Sequence, residues 1–373
     1  MVDYELEIRK FIDDNWGNIQ GGINELINKV KAAKYICIFG AGGVGRELAD
    51  YLKSINIKID FFCDNNKSLW DKEVYNGIKC ISLDELKLYK EDVFILITGS
   101  RYSEIKKQLD LMSFYSIVMA NIILKTRLYL GTTTNELLKN NVCSLLELLE
   151  DDKSKEIVVE IVKKWFTSIL EYNTNNHQNI KSDNQYFTEE IVALTENEIF
   201  VDAGAYDGDT VRYFLEKVNY RFDGVIAYEL NKNNYDILCH NIAELDDEVK
   251  SKILPYNLGL YNKTEKIKYS SNISSSNINL FADDIGQVVR LDEHTKKPIT
   301  FIKMDIEGAE IKALEGAEEI IRVHKPKLAI CVYHEPYHLW EIPFLIKKYV
   351  PDYKLFIRHH SDLGIETVCY AVI

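Results

Sequence analysis

Two glycine-rich turns, each following a short apolar run and opening an amphipathic one, limit what this chain can fold into more than any other feature. Tyr35-Ile-Cys-Ile-Phe39 leads into Gly40-Ala-Gly42-Gly43-Val-Gly45, and Ile199-Phe-Val-Asp-Ala203 leads into Gly204-Ala-Tyr-Asp-Gly208. A short, mostly apolar run suits a strand buried on both faces of a parallel sheet. Glycine at its end lets the backbone turn sharply into a helix and approach a ligand closely. The expected fold class is α/β, with two Rossmann-like doubly wound domains joined by a helical connector. A chain of 373 residues exceeds one compact domain, so each unit has residues enough for its own core.

The first domain is expected over residues 1–121. Residues 1–30 read as a helical extension, Tyr35–Phe39, Ile59–Cys63 and Val93–Ile97 as strands, and Val44–Ser54 as a helix. Strand signals then stop. The runs from Ser144 to Leu149 and from Glu156 to Phe166 carry apolar residues at helical spacing, which makes residues 122–197 the connector, with the polar run Tyr172 to Ser182 as an exposed loop within it. In the second domain, residues 198–373, strands are expected at Ile199–Ala203, Gly224–Glu229, Ile253–Asn257, Thr300–Asp305, Lys327–Tyr333, Tyr353–Arg358 and Glu366–Val372. Helices are expected at Asp209–Val218, Asn231–Ala243, Ala309–Arg322 and Tyr337–Tyr349. Seven strands, the last two spaced like a hairpin, match the sheet of class I methyltransferases.

Charge and composition exclude several function classes. Lys and Arg number 45 against 58 Asp and Glu, a net charge of -13, and no basic run is long enough to follow a phosphate backbone, so nucleic acid is not an expected partner. No stretch approaches the roughly 18 apolar residues of a membrane span and the N-terminus is studded with charge, so the chain is expected to be cytoplasmic. The seven cysteines are scattered, without the close pairs of a zinc site, and read as reduced thiols packed in strands.

The second turn carries the chemistry. Gly204 admits a ligand to the backbone, and the helix that follows offers free N–H groups to a carboxylate, which suits an amino-acid moiety. Asp202 at the strand end is placed to face a positive amino group, an arrangement that a phosphate would not favour. Glu229 ends the next strand 27 positions on (229 minus 202), where a carboxylate's two oxygens can take the two hydroxyls of a ribose. Alone, Glu229 is a surface acid and the turn a structural one; together they form a nucleoside-binding pair. Ala205, Tyr206 and Asp207 of the turn, Leu230 beside Glu229, and Asn257 at the end of the third strand complete the expected cofactor-binding set, to which Asp305 is added.

The run Phe301-Ile-Lys-Met-Asp305-Ile-Glu307-Gly308-Ala-Glu310, preceded by Val289-Arg-Leu-Asp292-Glu, resembles the signature of the FkbM family of methyltransferases. So do Gln185-Tyr186-Phe187, Val332-Tyr-His334, Ile357-Arg-His359 and Glu366-Thr-Val-Cys-Tyr370. The resemblance covers about residues 140–373. It implies a Rossmann-like domain, S-adenosylmethionine as methyl donor, and O-methylation of a small-molecule or glycan acceptor in bacterial glycan or natural-product pathways.

Methyl transfer needs an aligned acceptor and a proton acceptor. Asp305, at the end of the fourth strand, is the expected contact to acceptor or cofactor, its other reading being a helix cap. Glu307 lies two residues on. His334, at the end of the fifth strand, has the titration range of a general base; its other reading is a histidine bonded to backbone. A divalent metal on Asp305, Glu307 and His334 is an alternative use of the same groups. His359 or His360 is expected to face the same pocket, while Tyr186 and Tyr206 either pack on the cofactor or belong to the core. N- or carboxyl-methylation and a catalytically silent nucleotide-binding scaffold are the competing functions.

The first turn satisfies the dinucleotide fingerprint with Gly40, Gly42 and Gly45, and Asp64 follows Gly45 by 19 positions (64 minus 45). The segment is similar to the nucleotide-sugar-binding domain of bacterial sugar acyltransferases, a likeness that Gly77 to Leu86 shares. A nucleotide or nucleotide-sugar pocket, a relic of one and a homodimer interface all stay open for this domain.

Overall fold

The computed structural model describes residues 2–373 except 55, 99–101, 115, 119–125, 127–128, 167–178, 272–275, 279–283 and 362–365. The chain divides into two compact units, one of Met1–Glu5, Lys139–Ile161 and Thr174–Ile373, the other of Leu6–Leu138 and Val162–Asn173. Helix α1 (Tyr4–Ala32) accounts for the expected N-terminal extension.

In the second of these units, strands β1 (Tyr35–Phe39), β2 (Phe61–Cys63), β3 (Glu73–Tyr75), β4 (Ile78–Ile81), β5 (Val93–Ile97) and β6 (Ser116–Val118) form a sheet of order β3-β4-β2-β1-β5-β6. All neighbours are parallel except β3 with β4. Helix α2 (Gly43–Ser54) opens from the first glycine turn, and Leu48, Ala49 and Leu52 on it pack with Ile36, Ile38 and Phe62 of the strands. Helix α3 (Tyr102–Leu111) leads into β6. The connector stretch holds α4 (Asn135–Leu148) and α5 (Asp152–Trp165), and part of the polar run expected as a loop, 172–178, lies outside the described residues.

The larger unit carries the expected seven-stranded sheet. Its members are β7 (Ile199–Ala203), β8 (Gly224–Tyr228), β9 (Ile253–Tyr256), β14 (Phe301–Met304), β15 (Lys327–Cys331), β16 (Lys354–His359) and β17 (Thr367–Val372), in the order β16-β17-β15-β14-β7-β8-β9. Only β17 runs antiparallel to its neighbours. The order reverses beside β7, so the crevice outside the strand ends opens at the Gly204 turn. Helices α6 (Asp209–Lys217), α7 (Lys232–Ala243), α8 (Glu310–Glu315), α9 (Glu318–His324) and α10 (His338–Tyr349) alternate with these strands. A cluster of phenylalanines fills the core, with Phe200 ring centroids 4.7 Å from Phe214 and 5.1 Å from Phe301. Arg358 fastens β16 to the start of α5, its guanidinium bonding Asp151, Ser154 and Glu190.

One helix is corrected and one sheet is added. The helix expected over Ala309–Arg322 is broken into α8 and α9, because Gly316 passes so close to another segment that a Cβ there would stand 2.0 Å from the Tyr261 carbonyl oxygen. Asp292 caps the second piece by accepting the N–H groups of Glu319 and Ile320. The stretch between the third and fourth expected strands adds further strands: β10 (Gly259–Leu260), β11 (Glu265–Ser271), β12 (Ser276–Ile278) and β13 (Asp284–Val289) form a second sheet. The alternation in Lys266-Ile-Lys-Tyr269, with Ile267 and Tyr269 buried, was the strand signal. Residues 272–275 and 279–283 lie outside the described residues.

Candidate active site

A cavity of about 330 Å³ opens at the ends of β7, β8 and β14. That falls in the range of roughly 300–1,000 Å³ usual for small-molecule sites. Gly204 forms its floor at φ +78°, and a Cβ there would lie 1.9 Å from the Asp305 carbonyl oxygen, so only glycine lets β7 turn beside β14. The chain continues through Tyr206 at φ +48° and Gly208 at φ +87° into α6. Glu229 faces the cavity from the end of β8 while nearly buried. Its two oxygens accept the N–H groups of Tyr206 (2.9 Å) and Asn231 (2.7 Å), which aims the carboxylate and leaves lone pairs for a ligand. Burial raises its proton affinity against those two bonds. Leu230, Leu258 and Val288 add an apolar wall.

Four residues expected to touch the cofactor do something else. Asp202 is fully buried and its Oδ1 is taken by Lys303 Nζ at 2.9 Å, so it is a counter-ion to a lysine and does not line the cavity. Burial pushes its carboxyl up to about 6 against the pull of that ammonium. Ala205 is in the hydrophobic core. Asp207 accepts the Asp209 N–H at 3.0 Å and starts α6. Asn257 braces the turn after β8, donating its amide to the carbonyls of Glu229 (2.9 Å) and Leu230 (3.0 Å).

Asp305, Glu307 and His334 do come together. His334 Nε2 lies 3.4 Å from Asp305 Oδ1 and 3.7 Å from Glu307 Oε2, while its Nδ1 lies 2.9 Å from Glu310 Oε1. Glu310 is buried, also contacts His338, and accepts the Ile306 N–H at 2.9 Å, tying α8 to the strand-end turn. Burial opposes a charge on His334, yet Glu310, Glu307 and Asp305 outweigh it and lift the imidazole to about 10. An imidazolium is not a base at neutral pH, so the general-base expectation for His334 is corrected: it is the cation that holds three carboxylates together. Among the described residues Asp305, Glu310 and His334 place one ligand-type atom each within 4.8 Å of one another. Glu310, rather than the Glu307 considered for a divalent metal, completes that set.

That network has a pH signature. A histidine raised in the folded state stabilises fully below its unfolded value of about 6.5 and loses that contribution as pH climbs to about 10. The thermal midpoint of the wild type is expected to fall by several degrees between pH 7 and pH 10, and His334→Asn to flatten this fall. Equal slopes in the two proteins would remove the imidazolium from the account.

Sequence reasoning missed Lys303, Glu310, Gln185 and Glu366. Lys303 and Glu310 stand within the quoted run around Asp305, but buried ionisable groups are visible only once the chain is folded. Tyr186, considered for cofactor packing, donates its phenol to Asp305 Oδ2 at 2.8 Å. His359 and His360 turn away from the cavity, His359 toward Thr367 (2.8 Å) and His360 toward Ser182 and Tyr370 (2.9 Å each).

At the first glycine turn, Gly40 and Gly45 are explained by packing. A Cβ on Gly45 would stand 1.9 Å from the Gly40 carbonyl oxygen, and one on Gly40 2.6 Å from Thr98 Oγ1. Gly42 has open space, and Asp64 spends its oxygens on the N–H groups of Ala41 (2.9 Å) and Asn66 (2.8 Å). The fingerprint is thus accounted for by the turn's own geometry. Residues 99–101 lie outside the described set.

Residues 202–360 match the methyltransferase FkbM domain. Residues 32–118 match a second domain, described as C2185-like, N-terminal. The chain is similar in structure to methyltransferase FkbM from Methylobacillus flagellatus KT, at TM-score 0.67 and 21% identity, over 99% of this chain and 100% of that one. A weaker likeness is to an S-adenosylmethionine-dependent methyltransferase from Aquifex aeolicus (TM-score 0.29, 14% identity, 48% of this chain and 84% of that one). Fibrillarin from Aeropyrum pernix, solved with natively bound S-adenosylmethionine, gives TM-score 0.31 and 13% identity over 49% and 71%. No curated protein matches. The FkbM domain and the shared fold support a methyltransferase. Among the described residues no helix is long and apolar enough to cross a membrane.

Proposed function

We propose that the FkbM domain transfers a methyl group from S-adenosylmethionine to a hydroxyl of a sugar or glycan-linked acceptor. The observation that carries the donor assignment is the pairing of Glu229 with the Gly204 turn across one cavity. The turn is a cradle that any side chain would fill, and the buried carboxylate offers acceptors where a ribose presents donors. The donor, when bound, supplies an electrophilic methyl on a sulfonium. The protein's part is to orient that methyl toward Asp305 and Glu307, exclude water and receive a proton.

Incubating the full chain with methyl-labelled S-adenosylmethionine and a panel of hexosides, nucleotide-sugars and amino acids tests this through release of S-adenosylhomocysteine and the mass and linkage of the product. Turnover on a hexoside or glycan is the expected result. Product methylated on nitrogen or on a carboxyl would replace the acceptor half of the proposal, and a chain that binds no donor would favour the scaffold reading. In Glu229→Ala, loss of charge-assisted bonds to the ribose, at about 1.5–3 kcal/mol, should weaken donor affinity about 10- to 100-fold. Unchanged affinity would move the nucleoside elsewhere.

A further inference from the structure

We propose that Glu366 takes the acceptor's proton, and that the transfer end of the cavity selects an acceptor presenting a neutral hydroxyl or an amine rather than an anion. The inference rests on the methyl-transfer reading above.

Glu366 immediately precedes β17 and lines the cavity together with Gln185, Tyr186, Asp305 and Glu307. Its backbone sits at φ +65°, a conformation that costs a non-glycine residue about 1–3 kcal/mol and persists where the surrounding structure holds a side chain to a task. One phenol bridges two carboxylates: Tyr333 OH is 3.3 Å from Asp305 Oδ1 and 3.5 Å from Glu366 Oε1. A phenol has one proton to give. Asp305 also receives Tyr186 at 2.8 Å and has His334 3.4 Å away, whereas Glu366 receives the Gln185 amide on its other oxygen. Asp305 is therefore the better satisfied carboxylate, and Glu366 keeps more acceptor capacity for an incoming proton. Burial and then the neighbouring Asp305 raise the proton affinity of Glu366, while Gln185, His334 and Lys303 act against this. Two acids with different surroundings divide the work of binding and of proton transfer.

Charge limits what can enter. Asp202, Asp305, Glu307, Glu310 and Glu366 face two cations, and both are engaged: Lys303 with Asp202, and His334 with Glu310. Lys303 is the only cationic side chain among the described residues lining the cavity. A carboxylate or phosphate at the reacting end would meet uncompensated negative charge. In the transfer step a lone pair of the acceptor oxygen or nitrogen forms the new bond to the methyl carbon. The carbon–sulfur bond breaks with its pair remaining on sulfur, which becomes a neutral thioether, and the acceptor's proton passes to the Glu366 carboxylate. One positive and one negative charge are cancelled together.

The test needs no acceptor. Calorimetry on the full chain compares S-adenosylhomocysteine with sinefungin, an analogue that carries an ammonium where the methyl would project. The wild type is expected to bind sinefungin at least tenfold more tightly, and Glu366→Gln to cut that ratio several-fold while S-adenosylhomocysteine affinity holds. A ratio that Glu366→Gln leaves untouched overturns the assignment of Glu366. Should that variant not fold, the wild type alone decides, since equal affinity for the two analogues overturns the proposal. A wild type that binds neither analogue refutes the methyl-donor reading itself, a failure distinct from the other two.

Discussion

Gly204→Ala is expected to weaken binding of S-adenosylhomocysteine at least 100-fold and to lower the thermal midpoint of the FkbM domain by several degrees. The new methyl would stand 1.9 Å from the Asp305 carbonyl oxygen and 3.0 Å from its carbon, both backbone atoms that no rotamer change can move aside. The site lies where three strands are tied, with Gly204 N–H on the Tyr228 carbonyl (2.9 Å) and Asp305 N–H on that of Ala203 (3.0 Å), so relief must come from shifting a strand end. Overpacking costs about 1–3 kcal/mol. A non-glycine φ of +78° adds a comparable strain. The same movement displaces the turn from Glu229, since the Tyr206 N–H rests on that carboxylate. Gly42→Ala is the control, because a Cβ there meets nothing within 4 Å. Isothermal titration and differential scanning calorimetry on the two variants give the comparison. Equal behaviour of the two would remove the Gly204 turn from the ligand site.

Lys303→Met is expected to destabilise the FkbM domain by about 3–5 kcal/mol, the usual cost of leaving a buried charge without its partner. Lys303 is almost fully buried, and besides Asp202 its ammonium bonds the Gly204 carbonyl at 2.8 Å and lies over the Tyr186 ring at 5.1 Å. Asp202 raises the ammonium's proton affinity further, against burial, so the lysine is charged at every physiological pH. Without it, Asp202 is a buried carboxylate with no cation. An acid whose proton affinity is raised on folding stabilises fully below its unfolded value near 4 and loses that as pH rises through its folded value. In the wild type that window runs from about 4 to 6. In the variant the window extends upward, so its deficit should shrink as pH falls toward 5. Adding Asp202→Asn should recover part of the loss at pH 7. Urea titrations followed by far-UV circular dichroism at pH 5 and pH 8 read both effects, and a pH-independent deficit would show that Asp202 is not the group left stranded.

Much of this fold was legible because parallel strands announce themselves. Ile199 to Ala203, Val93 to Ile97 and Lys327 to Cys331 are apolar runs of strand length next to glycine or helical spacing, and each is a strand. That Gly204 and Glu229 line one cavity was readable because their positions depend on backbone geometry and strand order, which local sequence encodes. What escaped depended on contacts far apart in the chain. The break at Gly316 is imposed by Tyr261, 55 positions earlier (316 minus 261). Asp202 is an apparent ligand until Lys303, 101 positions on, claims it. His334 looks like a base in isolation and becomes an imidazolium only among Glu310, Glu307 and Asp305. Burial and pairing decide ionisation, and neither is written in a short motif.

The central claim is that the cavity between Gly204 and Glu229 holds the methyl donor, and a crystal structure of the full chain with S-adenosylhomocysteine tests it most directly. The account predicts the ribose hydroxyls on the Glu229 carboxylate, the adenine beside Leu230 and Leu258, and the sulfur turned toward Asp305 and Glu366. A nucleoside bound instead at the Gly40 to Gly45 turn, or density in the Gly204 cavity that leaves Glu229 untouched, would contradict it.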